Sequence, residues 1–343
     1  MGTGKDADNE AAAAKSSSSS SCAAGPSSSY DRSLFPQLLP SASVPGLHLY
    51  HRSWAVSRPT CLVFLIHGYG EHIGRYESLA AQLNEIGASV FGLDHIGHGQ
   101  SSGDRAYVER FSHYVLDALT FVEHVQKGYE KPLPCFLIGH SMGGLIATQM
   151  MRASYTEPQR SRPRDGVAAL PPPTPMQQQW QNRLWPWSGC ILSSPALLPN
   201  PNDTKPSLLW FANFLSTHLP KLQLLPLDTA GVSRNPAVVA HYKADPLNWH
   251  GNMRARWGVE MMGVMEEVRA AIPTVRWPFL LIQGTADTLV HTPGATAFAE
   301  GAGSRDKTLK LFEGGYHELF NDCTQAEAFA VVSQWITERM PRT

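Results

Sequence analysis

The chain is poor in charge. Only 17% of its 343 residues are Asp, Glu, Lys or Arg, and 28 basic against 29 acidic side chains leave a net of −1. Without a positive excess or a basic stripe, nothing draws it toward nucleic acid. Long apolar runs are missing as well, none reaching about 18 residues, so no segment is expected to span a membrane. Cysteine is scarce, at positions 22, 61, 135, 190 and 323. The odd count and irregular spacing fit neither a disulfide framework nor a metal-ligand pattern. Cys61, Cys135 and Cys190 lie in or beside apolar runs, which suits buried, reduced thiols. The first residues carry Lys5, Asp6, Asp8 and Glu10 and no apolar core of a secretory signal. Asp6 also stands where a myristoylation motif needs Ser or Thr. The expected location is therefore cytoplasmic.

What the chain does have is an ordinary apolar share, 43%, and enough length to bury a large core. Two composition islands interrupt it. Residues 1 to about 40 are rich in Ala and Ser and offer little to bury, so a disordered arm is expected ahead of a single domain over 41–343. Residues from about 155 to 188 hold a run of prolines, three consecutive glutamines and several arginines. That stretch reads as a loop or disordered insert. Elsewhere strands and helices alternate. Cys61–Ile66, Ser89–Leu93, Cys135–Ile138, Cys190–Ser193, Phe279–Gln283 and Thr308–Phe312 read as short strands. Helices are predicted over Tyr76–Ile86, Phe111–Gln126 and Gly143–Met151, with a last one opened by a Thr324/Glu327 capping box. This rhythm implies an α/β fold, a mostly parallel sheet covered by helices on both faces. One stretch, about 195–270, breaks it with helices and loops, and is expected to fold over the strand ends as a cap.

Gly139-His140-Ser141-Met142-Gly143 follows one of those strands and opens a helix. A Gly-x-Ser-x-Gly pentapeptide means little by itself, but between strand and helix it makes a sharp turn that exposes a serine hydroxyl. Glycine on either side relieves the crowding of that turn. Serine is a weak nucleophile without a base. Asp287 follows the strand Phe279–Gln283, and His317 follows the strand Thr308–Phe312. The order Ser, Asp, His is that of the α/β-hydrolase arrangement, with His317 as general base and Asp287 holding its imidazole. Asp94 and Asp322 are rival acids; Asp94 lies in a glycine turn, where bonding the local backbone is its expected work. The backbone amides of Met142 and of Tyr69, in His67-Gly68-Tyr69-Gly70, are the expected oxyanion donors.

These segments resemble the monoacylglycerol lipase family. His67-Gly68-Tyr69-Gly70-Glu71-His72-Ile73-Gly74-Arg75-Tyr76 looks like one family signature, and Asp94-His95-Ile96-Gly97-His98-Gly99-Gln100-Ser101 like the next. Gly139–Gly144, Gln283–Asp287 and Glu313–His317 complete a match running from about Gly46 to Arg339 apart from the insert. The resemblance implies an α/β-hydrolase fold with a helical cap between late strands. It implies cofactor-free hydrolysis of a monoacylglycerol to fatty acid and glycerol, with lysophospholipids or small soluble esters as alternative substrates and a catalytically silent scaffold as a remote rival. It places Glu71 and Arg75, and less firmly Tyr242, near the polar glycerol end of the pocket. No acidic cluster for the free amine of a peptide substrate is evident. Leu208, Leu209, Trp210, Phe211, Phe214 and Leu215 crowd one cap helix, which is expected to touch a membrane surface peripherally and admit the acyl chain. Met253, Met261, Met262 and Met265 in the next cap segment suit the wall of an acyl tunnel or plain core.

Overall fold

A computed structural model describes residues 37–156, 174–200 and 206–340. The sheet has eight strands: β1 (Leu38–Pro40), β2 (His48–Trp54), β3 (Cys61–Ile66), β4 (Ala88–Leu93), β5 (Cys135–His140), β6 (Trp187–Ser193), β7 (Phe279–Gly284) and β8 (Lys307–Phe312). Their spatial order is β1-β2-β4-β3-β5-β6-β7-β8. Both β1/β2 and β2/β4 are antiparallel, and every pair from β4 to β8 is parallel.

Strand β3 shows why the inner strands read as unbroken apolar runs. Successive side chains point to opposite faces, and both faces are covered. Leu62, Phe64 and Ile66 enter one core beneath α2 (Phe111–Gln126), α3 (Met142–Ser154) and α8 (Thr292–Gly301). Cys61, Val63 and Leu65 enter the other, with Leu79 and Leu83 of α1 (Glu77–Glu85) and Val332 and Trp335 of α9 (Gln325–Thr337). Cys61, Cys135 and Cys190 are buried and free, as their apolar settings suggested.

Two expectations are corrected. The Thr324/Glu327 capping box does not form. Thr324 sits at φ −86°, ψ 3°, outside the extended geometry a cap needs, and its hydroxyl makes no capping bond. Glu327 instead pairs with Lys310 on β8 at 2.8 Å. The loop reading of 155–188 also fails in its second half. Thr174 and Gln177 form a reciprocal capping box that opens α4 (Pro175–Trp180), with Pro175 in its first turn. Trp180 at its end is 1% exposed, and Trp187 already belongs to β6. The rest of that insert, residues 157–173, and residues 1–36 of the expected arm lie outside the described residues. Residues 38–40 of the arm are the edge strand β1.

Between β6 and β7 the chain leaves the sheet. It forms α5 (Pro206–His218), a short 3-10 turn (Thr229–Val232), α6 (Pro236–Ala244) and α7 (Ala255–Ala271). The α6 to α7 connection is tied to the loop after β3: Trp249 N–H donates to the Gly70 carbonyl at 2.8 Å, and His72 meets Asp245 at 2.8 Å. This helical layer therefore lies over the carboxyl ends of the strands.

Candidate active site

Ser141 stands between β5 and α3 with φ +54° and ψ −120°. A side chain at positive φ is strained, and such strain persists only where the surroundings enforce it. Here the Ser141 N–H donates to the Ser193 carbonyl at 3.0 Å, and the Ser141 carbonyl accepts from Ala196 and Gly144 N–H at 3.0 and 2.9 Å. The flanking glycines are needed for space. A Cβ on Gly139 would lie 2.4 Å from the Gly143 carbonyl oxygen, and one on Gly143 would lie 2.1 Å from that of Ile66.

Asp287 and His317 come together from the loops after β7 and β8. Nδ1 of His317 lies 2.8 Å from Oδ2 of Asp287. The same oxygen accepts from the Gln283 amide at 2.9 Å, and Oδ1 accepts from Leu289 and Val290 N–H. A carboxylate at that position keeps the proton on Nδ1 and leaves Nε2 as the imidazole's free acceptor. Burial opposes the charged form of His317, but the Asp287 carboxylate and its hydrogen bond outweigh it and raise the pKa above the ordinary histidine value. Burial likewise pushes Asp287 up, while His317 and the loop donors bring it below the usual carboxylate value.

The rival residues are engaged elsewhere. Asp94 accepts from Gln100 N–H in its own turn at 2.8 Å, as expected, and also from Ile73 N–H in the loop after β3 at 2.7 Å, so it ties two loops together as well. Asp322 accepts from the Arg234 side chain and backbone and from Ser233, which ties the loop bearing His317 to the cap. His67 is fully buried, bonds the Gly68 carbonyl and accepts from His95 N–H; burial, first of all, drives its pKa down to about 3. His140 bonds the Ser193 carbonyl, with its ring 4.7 Å from that of His317.

Ser141, Asp287, His317, Tyr69 and Met142 all line one cavity of about 1430 Å³. Met142 begins α3, so its N–H has no acceptor within the helix. The loop carrying Tyr69 runs against Ser141, since a Cβ on Gly68 would lie 3.2 Å from Ser141 Cβ. A residue the sequence reading missed joins the two: Trp257 of α7 stacks on the Tyr69 ring at 3.8 Å and donates its indole N–H to Met142 Sδ at 3.3 Å. No local pattern marks such a residue, because it meets its partners only through the fold.

Of the residues expected at the polar end, Glu71 and Tyr242 reach the cavity wall, and Arg75 is not among the lining residues. Glu71 is buried and accepts from Gly68 N–H and the Tyr76 hydroxyl, both at 2.7 Å, and from Arg75 at 2.9 Å. Burial works against its charge, yet Arg75 holds the carboxyl well below the usual range. The other side of Arg75 grips Glu318, a second missed residue, in a two-point contact at 2.5 and 2.7 Å. The Arg75 guanidinium also stacks 4.7 Å over the Tyr242 ring, whose hydroxyl donates to the Gly70 carbonyl at 3.3 Å. Met253, Met261, Met262 and Met265 also line the cavity. On α5, Trp210 and Phe214 are 70 and 47% exposed and do not line the cavity, while Phe211, 51% exposed, does. No described helix is long and apolar enough to cross a membrane, and the described residues hold no cluster able to bind a metal.

A serine on a strained elbow above a mostly parallel sheet, with its acid and histidine past later strands, is the architecture of the α/β hydrolases. Within that class the chain belongs to the Hydrolase_4 family, described as serine aminopeptidase, S33, whose model matches residues 57–173 and 174–324. It is similar to the human monoglyceride lipase, 36% identical over 315 residues that span 89% of this chain and 93% of that protein. It is 31% identical over 301 residues to the monoacylglycerol lipase of Mycolicibacterium smegmatis, covering 87% of this chain and 96% of that one. The crystal structure of the Paleococcus ferrophilus monoacylglycerol lipase superposes with a TM-score of 0.66 at 28% identity, over 85% of this chain and 99% of its own.

Proposed function

We propose that the protein is a serine lipase that hydrolyses monoacylglycerols to fatty acid and glycerol. The observation that carries this is one cavity lined together by the Ser141 elbow, the His317–Asp287 pair, four methionines and further apolar side chains. The similarity to monoglyceride lipases over nearly the whole chain supports the same substrate class.

In this mechanism Ser141 Oγ attacks the acyl carbonyl while His317 Nε2 takes its proton. The oxyanion that forms is held by the Tyr69 and Met142 amides. Collapse breaks the ester bond; glycerol leaves with the proton from His317, and the acyl group stays on Ser141. Water then attacks the acyl-enzyme, giving its proton to His317, and the fatty acid departs as Ser141 is reprotonated. Asp287 holds the tautomer and stabilises the imidazolium at each stage. Glu71 and Tyr242 would face the glycerol end.

The exposed aromatic face of α5 supports a further element, peripheral contact with a lipid surface that feeds the cavity. An aminopeptidase reading is less well served. Glu71 and Glu318 both line the cavity, but Arg75 lies between them and engages both, so they do not form an open acidic pair for a free ammonium group. The test is labelling by a fluorophosphonate probe together with glycerol release from 1- and 2-monooleoylglycerol, beside Ser141→Ala. Both signals should vanish in the variant. Labelling without glycerol release would move the substrate to another ester, and an unlabelled folded protein would overturn the reading.

A further inference from the structure

The loop that carries His317 and the loop that carries Tyr69 come from different strands, β8 and β3, yet catalysis would need them in fixed register. Among the described residues, Arg75 and Glu318 form a direct side-chain bridge between them. Glu71 Oε1 accepts from Gly68 N–H, the peptide next to Tyr69. Its other oxygen accepts from Arg75, whose NH1 and NH2 then grip the two oxygens of Glu318, the residue after His317. Asn321 adds an N–H to Glu318 at 3.2 Å. The side chains of Glu71, Arg75 and Glu318 are each 5% exposed or less. A planar guanidinium in a two-point contact fixes orientation as well as distance.

We propose that Glu318 is a positioning residue that, through Arg75 and Glu71, locks the base loop to the oxyanion loop. This rests on the lipase reading above. Glu318 need not touch the reacting atoms. It would hold His317 and the Tyr69 amide as one unit, and its charge would add to the field at His317. The charged and titratable groups facing His317 are Asp287 after β7, His140 at the end of β5, Glu71 after β3 and Glu318 beside it, with Arg75 between the last two. With Arg75 set against two carboxylates, the cluster keeps one net negative charge, which favours the imidazolium.

The test is Glu318→Gln, assayed for kcat and KM on 1-monooleoylglycerol, for its pH–rate profile and for its melting temperature. The expected result is a folded enzyme with kcat down about ten- to a hundredfold, as for an ångström-scale misplacement. KM should be little changed, and the acid limb of the profile should move to lower pH. Wild-type kcat, or a loss carried wholly by KM, would overturn the proposal; the second outcome would make Glu318 a substrate contact. If Glu318→Gln does not fold, Arg75→Met/Glu318→Leu takes its place. That pair leaves no buried charge stranded beyond Glu71, which keeps its bonds to Gly68 and Tyr76. A low kcat with unchanged KM in that folded variant supports the lock; full activity refutes it, and so does failure of both variants to fold, which would make the cluster a stability element. Wild-type turnover of monooleoylglycerol separates any of these outcomes from failure of the lipase reading itself.

Discussion

Gly143→Ala should damage both stability and turnover, and the structure says by how much. The new Cβ would lie 2.1 Å from the Ile66 carbonyl oxygen and 2.6 Å from that of His67, where real contacts almost never fall below 3.0 Å. Both obstacles are backbone of β3 and its loop, so no side chain can swing away. Helix α3 must retreat from β3 by close to 1 Å, and tight interiors pass such a shift on rather than absorb it. Overpacking of this kind costs about 1–3 kcal/mol, and contact with backbone places it at the upper end. For a chain of this size that corresponds to a melting temperature lower by roughly 4–5 °C. The same retreat carries the Met142 amide and Ser141 away from the loop bearing Tyr69. A misplacement of about 1 Å costs on the order of 10²-fold in rate. Gly263→Ala is the control of opposite sign. Gly263 lies inside α7 with nothing within 4 Å of its Cβ position. There alanine gains about 0.8–1 kcal/mol of helix propensity and should raise the melting temperature. Thermal melts and initial rates on p-nitrophenyl acetate read both; the short ester keeps the acyl end of the cavity out of the measurement. A Gly143→Ala enzyme that melts and turns over like wild type would refute the argument from space.

Asp287→Asn should lower kcat by about 10⁴-fold, since the amide no longer fixes the productive tautomer. Its pH profile should move as well. The base must be neutral to accept a proton, and Asp287 raises the His317 pKa, so wild-type activity is lost as pH falls through a value above that of ordinary histidine. Without the carboxylate the acid limb must shift to lower pH; an unmoved limb would mean that another group sets it. Trp210→Ser/Phe214→Ser should abolish flotation with phosphatidylcholine vesicles while leaving the melting temperature and p-nitrophenyl acetate turnover unchanged, because both side chains face outward and neither lines the cavity. Undiminished flotation would remove the α5 face from lipid contact.

How much of this was legible in the chain follows from how local each feature is. Inner strands such as Cys61–Ile66 are apolar at every position because they are covered on both faces, so composition alone marks them. Strand β2 escaped because it carries the buried polar His51 at an inward position and Tyr50 and Arg52 at partly covered ones, which erases the alternation that signals a half-buried strand. Helix α8 opens on Thr-Pro-Gly-Ala and owes its place to the sheet it covers, through Ala295 and Phe298, more than to any strong apolar stripe of its own. The capping box expected at Thr324 and the one formed at Thr174 make the same point from opposite sides. The motif states an option, and the competing partner decides: Lys310 on β8 draws Glu327 away, whereas Gln177 still closes its own box while its amide reaches the Arg152 carbonyl. The site divides in the same way. Ser141, Asp287 and His317, the triad proposed here, each sit just past a strand end, a position that sequence order specifies. Arg75 was visible as a charged residue in a motif, but its partner Glu318 lies 243 positions away, and nothing short of the folded sheet sets them side by side. A chemical group can therefore be assigned from a strand and its turn, while the elements that hold two such groups in register belong to the topology. The register between the loops that bear His317 and Tyr69 is thus the property of this enzyme least predictable from its motifs and the one that substitution at Glu318 addresses most directly.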